Sequence, residues 1–277
     1  MGELRMGNSF IKEREAEFWF RGYGQQADIS LGMAGVDDFT QYQYGTDVGY
    51  DRVFRVDDSS SVAVGAFAGY QGAKTRFRDT YGSTGETNGA YVGVYSTWMH
   101  DDGWYLDAVL KGHYFDTEYT IHKNTDFDSY AIGASLEFGR QFEFDNGWFL
   151  EPSAQAAYMH LFNEGFTSGE GVRVDPDDAN IFRFRGMVRG GRTTTFFGEN
   201  VQYYVKGGVE EQVSRGGTMV AGPETFRPNT DGVGGVVGAG AIWQLTPASQ
   251  IHLDYEATFS DKYTVPWRVN AGYRYSF

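Results

Sequence analysis

Cysteine is absent from the 277 residues of the sequence. A disulfide framework, a cysteine-ligated metal site and a cysteine nucleophile are therefore excluded. Long hydrophobic runs are also missing. The least polar stretch, Val233–Trp243, is far shorter than the ~20 apolar residues that a membrane-spanning helix needs, and the mean hydropathy is -0.45. A helical membrane protein is therefore excluded as well.

Positive charge is in short supply. Lys and Arg number 23 against 37 Asp and Glu, which gives a formal net charge of -14. Nucleic-acid binding needs a basic surface, so no nucleic-acid partner is expected. A solvated acidic surface is the simplest interpretation of this balance.

Aromatic residues and glycine are plentiful. The sequence has 19 Tyr, 22 Phe and 38 Gly but only 6 Pro. Aromatic side chains suit a half-buried pleated sheet, and glycine suits bends and tight turns. This composition predicts an all-β protein.

Apolar and polar residues alternate along most of the chain, most clearly at its C-terminal end. The odd positions from Val265 to Phe277 are apolar or aromatic, whereas the even positions include Arg268, Asn270 and Arg274. This period of two predicts a strand with one apolar face in a single unbroken register. Twelve such segments are predicted, at 17–33, 39–56, 61–78, 87–100, 103–121, 126–143, 147–163, 179–191, 199–214, 231–245, 248–260 and 265–277.

These strands are longer than the ~5–6 residues usual in soluble sheets, and a tilted strand needs about 9–11 residues to cross a bilayer. The predicted connections are of two kinds. Asp101–Asp102 and Asp145–Asn146 are short, whereas Glu164–Asp178 and Arg215–Thr230 are long and polar. Short turns on one rim and long loops on the other are typical of outer-membrane barrels. Arg192–Gly198 breaks the rule, since it should be short and is predicted to be long.

The pattern therefore predicts a transmembrane antiparallel up-and-down β-barrel of 12 strands, rather than a soluble β-protein with its apolar faces turned inward. Twelve tilted strands enclose a free bore on the order of 10 Å, which suits one helix or an extended chain. A general porin of ~16–18 strands is wider. Polar residues on the other strand face are expected to line this interior: Lys111, Arg183, Arg185, Arg189, Lys206, Asp254, Glu256, Arg268 and Arg274.

The lining has two interpretations. Its charges can form interstrand ion pairs that stiffen the wall, or they can offer a hydrated track for a threaded segment. Catalysis on an external substrate is not expected, because the five histidines are scattered and no HExxH motif or G-x-S-x-G elbow occurs. No cofactor and no metal site is predicted.

Several segments resemble one known family. The C-terminal Ala271–Phe277 (AGYRYSF) resembles the terminal strand of autotransporter barrels, and Val265–Trp267 (VPW) opens that strand as it often does in the family. Gly133–Phe142 with Gly147–Pro152 resembles the family pattern across two adjacent strands. Gly2–Arg5 followed by Phe18–Gly22 is similar to a linker entering the first strand. The resemblance covers essentially the whole chain and is closest to the pertactin-like branch of type V secretion.

The resemblance implies a monomeric translocator domain in the Gram-negative outer membrane. Residues 1–16 would be the end of a linker helix that enters the lumen, and residues 17–277 the barrel. The barrel would anchor an upstream passenger and help deliver it to the cell surface, through or beside the lumen. A free-standing outer-membrane channel or barrel enzyme is the alternative.

The resemblance also implies partners and residue roles. The partners would be outer-membrane lipids, the passenger with its linker, and the barrel-assembly machinery, which would read Tyr273, Tyr275 and Phe277. Some family members cleave their passenger inside the barrel. If this chain does so, the candidate interior acids are Asp107, Glu137 and Glu151.

Overall fold

The computed structural model describes residues 15–30, 38–78, 82–120, 123–196, 198–222, 224–226 and 229–277. Within these ranges, no helix is long and apolar enough to cross a membrane. Twelve long antiparallel strands dominate the structure: β1 (Ala16–Ile29), β2 (Phe39–Arg55), β3 (Ser60–Phe77), β4 (Thr84–His100), β5 (Trp104–Thr120), β6 (Asn124–Arg140), β7 (Trp148–Asn163), β8 (Ala179–Phe196), β9 (Glu199–Gly216), β10 (Gly232–Thr246), β11 (Ser249–Ser260) and β12 (Tyr263–Ser276).

The twelve strands close into a ring. Each strand pairs with its neighbours in sequence, and β12 pairs with β1, with Phe20 opposite Tyr273. The two-residue strand Phe142–Glu143 pairs with the first residues of β7 and adds no wall of its own. Because every long strand has two partners, the sheet has no open edge. The predicted 12-stranded up-and-down barrel is confirmed.

The two faces of the wall are inverted relative to a water-soluble protein. On β2, the apolar side chains of Val48 and Tyr50 are 43% and 44% exposed, whereas Asp47 and Asp51 on either side of them are 1% and 2% exposed. Most of the other long strands repeat this arrangement, with apolar residues outside and charged or hydroxyl-bearing residues inside, whereas β10 turns Val236 and Ile242 inward. Such an outer surface is stable in lipid, and a soluble protein rarely exposes so large an apolar area.

One predicted loop is wrong. The segment Arg192–Gly198 was expected to be a long connection, but β8 continues to Phe196 and β9 begins at Glu199. Thr193, Thr194 and Thr195 pair with β9, and the Gln202 amide donates a hydrogen bond to the Thr193 hydroxyl at 3.2 Å. Threonine is β-branched and favours strands, although its polarity suggests a loop. The short-turn rim therefore obeys the rule here too.

The last strand does not keep a single register. Val265, predicted on the outer face with Tyr273, is 5% exposed inside the barrel, next to buried Tyr263. The pairing of β12 with β1 shifts between Gln26 and Asp28, where an extra β12 residue is accommodated. A bulge of this kind turns the following side chains to the other face, and Pro266 suits it because it has no N–H to donate.

The long-loop rim carries an additional small sheet. Two of its connections, predicted as irregular loops, contain short strands that pair across the rim: Phe166–Thr167, Arg173–Pro176, Met219–Ala221 and Glu224–Phe226. The Phe166 ring stacks on Phe127 of β6 at 4.4 Å, which fixes the sheet to the wall. Strands of two to four residues are too short to show a clear alternation in the sequence.

The predicted linker falls almost wholly outside the described residues. Of residues 1–16, only Glu15 and Ala16 are described, and Ala16 already belongs to β1. In β1, Trp19, Arg21 and Tyr23 alternate with outward residues and so share one face. Trp19 and Arg21 are 5% and 4% exposed, so this face points to the interior.

Candidate functional site: the barrel interior

Near β1 and β2 the interior is built around two aspartates. Arg21 donates from Nε to Asp47 Oδ1 at 2.9 Å, and the Tyr91 hydroxyl donates to Asp47 Oδ2 at 3.0 Å. Four residues further along β2, Asp51 accepts a hydrogen bond from the Tyr95 hydroxyl. This hydroxyl in turn accepts a hydrogen bond from Trp19 Nε1 at 2.7 Å. These contacts join β1, β2 and β4, which are not all neighbours in the sheet, so they cross-link the wall from inside.

Lys111 extends from β5 towards the same region. Its ammonium nitrogen lies 5.0 Å from the Tyr91 ring centre and 5.7 Å from that of Phe67. Phe67 also packs against Trp19 at 6.0 Å. Cation–π contact therefore supports this predicted interior cation, which is 8% exposed.

The three predicted interior acids lie on adjacent strands. Asp107 on β5 is opposite Glu137 on β6, and Glu151 is on β7. The Tyr105 hydroxyl lies 3.0 Å from Glu137 Oε1 and 3.2 Å from Glu151 Oε1. Arg189 donates to Glu151 Oε2 at 2.7 Å. The fold thus brings Glu137 and Glu151 together around a tyrosine hydroxyl, whereas Asp107 accepts a hydrogen bond from the Thr97 hydroxyl.

The densest group of charges lies on β8, β9, β11 and β12. Glu256 accepts from Arg185 at 2.8 Å and from Lys206 at 3.0 Å, and it also binds Arg268. Lys206 contacts Asp254 at 2.8 Å. Glu256 is 2% exposed. A carboxylate so deeply buried is stable only with such partners.

The remaining predicted cations also have partners. Arg183 donates to Gln212 at 2.8 Å, and its Nε lies 3.8 Å from Glu210, which also accepts from the Tyr263 hydroxyl at 2.9 Å. Arg274 binds Glu17 at 2.7 Å, across the seam where β12 meets β1. The interior is therefore a continuous polar lining of both charge signs.

Sequence reasoning missed several interior residues. Glu17, Arg21, Asp47, Asp51 and Glu210 are all nearly inaccessible and all hold a charged or hydrogen-bonding partner. The β2 pair had a usable signal, because both aspartates alternate with outward aromatic and aliphatic residues. The interior tyrosines had none, since tyrosine occurs equally well at the lipid boundary.

The described histidines lie in separate environments. His252 is buried beside Gly272, and His113 stacks on Phe115 at 5.5 Å. His160 lies 3.5 Å from Asp178 near the long-loop rim. Across the described part of the chain, no group of three or more His, Cys, Asp or Glu residues is arranged to hold a metal ion.

A closed twelve-stranded wall with an apolar exterior and a charged interior defines the chain as an outer-membrane β-barrel. The family described as autotransporter beta-domain matches residues 18–256, which is most of the barrel. The chain belongs to this family, and it is an outer-membrane translocator domain.

Individual relatives agree with this assignment. The pertactin autotransporter of Bordetella bronchiseptica is 28% identical over 280 residues, covering 99% of this chain and 30% of the relative. The crystal structure of the beta domain of the Bordetella autotransporter BrkA is 27% identical, with a TM-score of 0.82, and covers 95% of this chain and 100% of that one. The transport unit of AIDA-I from Escherichia coli has the same fold at 15% identity, with a TM-score of 0.81 and coverage of 98% and 93%. The chain thus spans under a third of the length of the pertactin relative.

Proposed function

We propose that this barrel anchors an upstream passenger in the outer membrane and delivers it to the cell surface through or beside its lumen. The observation that carries the proposal is the enclosed interior, which is polar and charged along its length. An extended polypeptide passing such a wall can exchange backbone hydrogen bonds with water and with side chains, instead of losing them to lipid. A charged lining of both signs also favours no single passenger sequence.

Site-specific photo-cross-linking tests the route. Met187 and Val188 are neighbours on β8 with opposite orientations, 9% and 47% exposed. A photoreactive residue at position 187 should cross-link to a passenger during secretion, whereas the same residue at 188 should not. Equal cross-linking from both positions, or cross-linking from 188 alone, would contradict passage through the lumen.

Two further partners belong to this proposal. Outer-membrane lipids would surround the apolar exterior, and the barrel-assembly machinery would read the terminal strand. Tyr273, Tyr275 and Phe277 support this, because their side chains are 38%, 44% and 61% exposed on the outer face.

Cleavage of the passenger by the barrel itself is the second candidate function. It is supported by Glu137 and Glu151, which both lie within hydrogen-bond distance of the Tyr105 hydroxyl, with Asp107 opposite Glu137 in the sheet. Closely spaced carboxyl groups can share acid and base roles. Expression with an upstream passenger should then give a separate barrel fragment on a gel, and the triple variant D107N/E137Q/E151Q should stay uncut. A chain that stays whole without any substitution would contradict this function.

A further inference from the structure

Two arginines on the outer face dock onto turns of the short-turn rim. Arg140, at the end of β6, donates from Nε to the backbone oxygen of Asp102 at 3.1 Å. Arg192, on β8, donates from Nε to the backbone oxygen of Asn146 at 2.9 Å. Each guanidinium is therefore held in place by a turn of a neighbouring hairpin, and each is oriented by a single hydrogen bond from Nε.

The Arg140 guanidinium contacts two aromatic rings. Its central carbon is 5.0 Å from the Trp104 ring centre and 4.6 Å from that of Phe142. Trp104 is itself stacked on Phe138, with ring centres 5.0 Å apart and an angle of 18°. These two cation–π contacts stabilise the guanidinium and restrict its rotation.

The terminal nitrogens of Arg140 are not used by the described part of the protein. Neither Arg140 nor Arg192 forms an ion pair with a described carboxylate, in contrast to the interior arginines such as Arg185, which binds both Glu210 and Glu256. Arg55 at the same rim also differs, because it donates a terminal nitrogen to the backbone oxygen of Asp58 at 2.6 Å. Arg140 therefore presents a pre-oriented pair of N–H donors.

These donors lie at the boundary of the lipid-facing band. Trp104 is directly opposite Arg140 in the sheet, and the outward residues of β5 that follow it, Leu106 and Leu110, are 36% and 56% exposed. Tryptophan at this depth marks the membrane interface, and the short-turn rim faces the periplasm. The free edge of Arg140 is thus at the level of the headgroups of the periplasmic leaflet.

We propose that Arg140, Trp104 and Phe142 form a binding site for the phosphodiester headgroup of a phospholipid in the periplasmic leaflet. The planar fork of arginine matches two phosphate oxygens, and the flanking rings contact the first part of the acyl chains. Arg192 over Trp148, at 5.9 Å, is a second and weaker copy, because it has one ring contact, at a longer distance, instead of two. This role is independent of passenger delivery, since it depends only on the position of the barrel in the membrane.

Lipid binding by the full chain in detergent tests the proposal. The protein is titrated with phosphatidylglycerol and bound lipid is counted by native mass spectrometry. Arg140→Gln should weaken binding about tenfold, as expected for the loss of a charge-assisted hydrogen-bonded pair. Arg140→Lys keeps the charge but loses the fork, so it should weaken binding by a smaller factor. Arg55→Gln is the matched control at the same rim and should bind as the unchanged protein does.

Two further ligands separate the sources of binding. Diacylglycerol with the same acyl chains should bind no more tightly to the unchanged protein than to Arg140→Gln, because it has no phosphate. Inorganic phosphate should not displace the lipid at equal concentration. The proposal would be overturned if Arg140→Gln binds lipid as tightly as the unchanged protein does. It would also be overturned if Arg55→Gln loses as much lipid affinity as Arg140→Gln, or if free phosphate displaces the lipid. Heat-modifiable migration on gels verifies that every variant is folded.

Discussion

At the scale of single residues, the stability of the interior depends on buried charges that hold one another. Glu256 contacts Arg185, Lys206 and Arg268, and it is almost fully enclosed. Removing one charge from such a group leaves the others desolvated with fewer partners, which costs more than the pair itself contributes. Exposed pairs on the outside of the barrel contribute little by comparison.

Glu256→Gln should therefore lower the free energy of unfolding by about 3–5 kcal/mol. The control is Glu86→Gln, because Glu86 pairs with Lys74 at 4.0 Å with both side chains at least half exposed. The control should change stability by less than about 1 kcal/mol. Urea unfolding in detergent measures the change in the free energy of unfolding for both variants. Equal changes in the two variants would contradict the account of the interior network.

Close packing over glycine is the second feature at this scale. The Tyr95 ring crosses the backbone of Gly65 on the neighbouring strand, so a Cβ added there would lie 2.5 Å from Tyr95 Cζ. Gly65→Val should displace the ring from Asp51 and Trp19 and destabilise the barrel by about 1–3 kcal/mol. Gly112→Val is the control, because no heavy atom lies within 4 Å of its added Cβ. Melting temperatures of the two variants test this prediction. A loss of stability in both variants would contradict it.

At the scale of elements, the seam between β12 and β1 closes the ring. The backbone N–H of Phe277 donates to Ala16 O at 3.1 Å, and Ala16 N–H donates to Phe277 O at 3.1 Å. The last residue of the chain therefore completes the ladder between the first and last strands. Until the two ends of the sheet meet, β1 and β12 each keep one unpaired edge.

Deletion of Phe277 should reduce the amount of barrel assembled in the outer membrane severalfold, because both this closure and the predicted assembly signal are lost. Phe259→Ala is the control, since Phe259 is 56% exposed on the outer face of β11 and is not terminal. Heat-modifiable protein in outer-membrane fractions is the readout. Normal assembly after the deletion would argue against a role for the terminal strand.

The elements also show what the sequence could and could not predict. Long strands such as β6 and β7 are regular in sequence because lipid faces one side and the interior the other. The threonines at the end of β8 and the bulge before Trp267 were misread, because strand continuation and register depend on partners in other strands. The small sheet on the long-loop rim depends on pairing between two distant connections, which no local pattern encodes.

For the molecule as a whole, the sequence indicated the barrel and the sign of its interior charges but not their arrangement. The seven predicted interior cations lie on four strands, and only the closed ring shows which carboxylate each one meets. The interior carboxylate Glu210 was missed for the same reason. Residue patterns define the faces of a strand, whereas contacts across a lumen depend on curvature and closure.

The central claim is that this barrel delivers an attached upstream segment across the outer membrane. Its most direct test is the accessibility of an epitope-tagged passenger, fused with a signal peptide ahead of residue 1, in intact Gram-negative cells. We predict that antibody and external protease reach the tag while the barrel is folded and heat-modifiable in the outer membrane. A folded, membrane-inserted barrel whose tag is reached only after the outer membrane is permeabilised would contradict the claim.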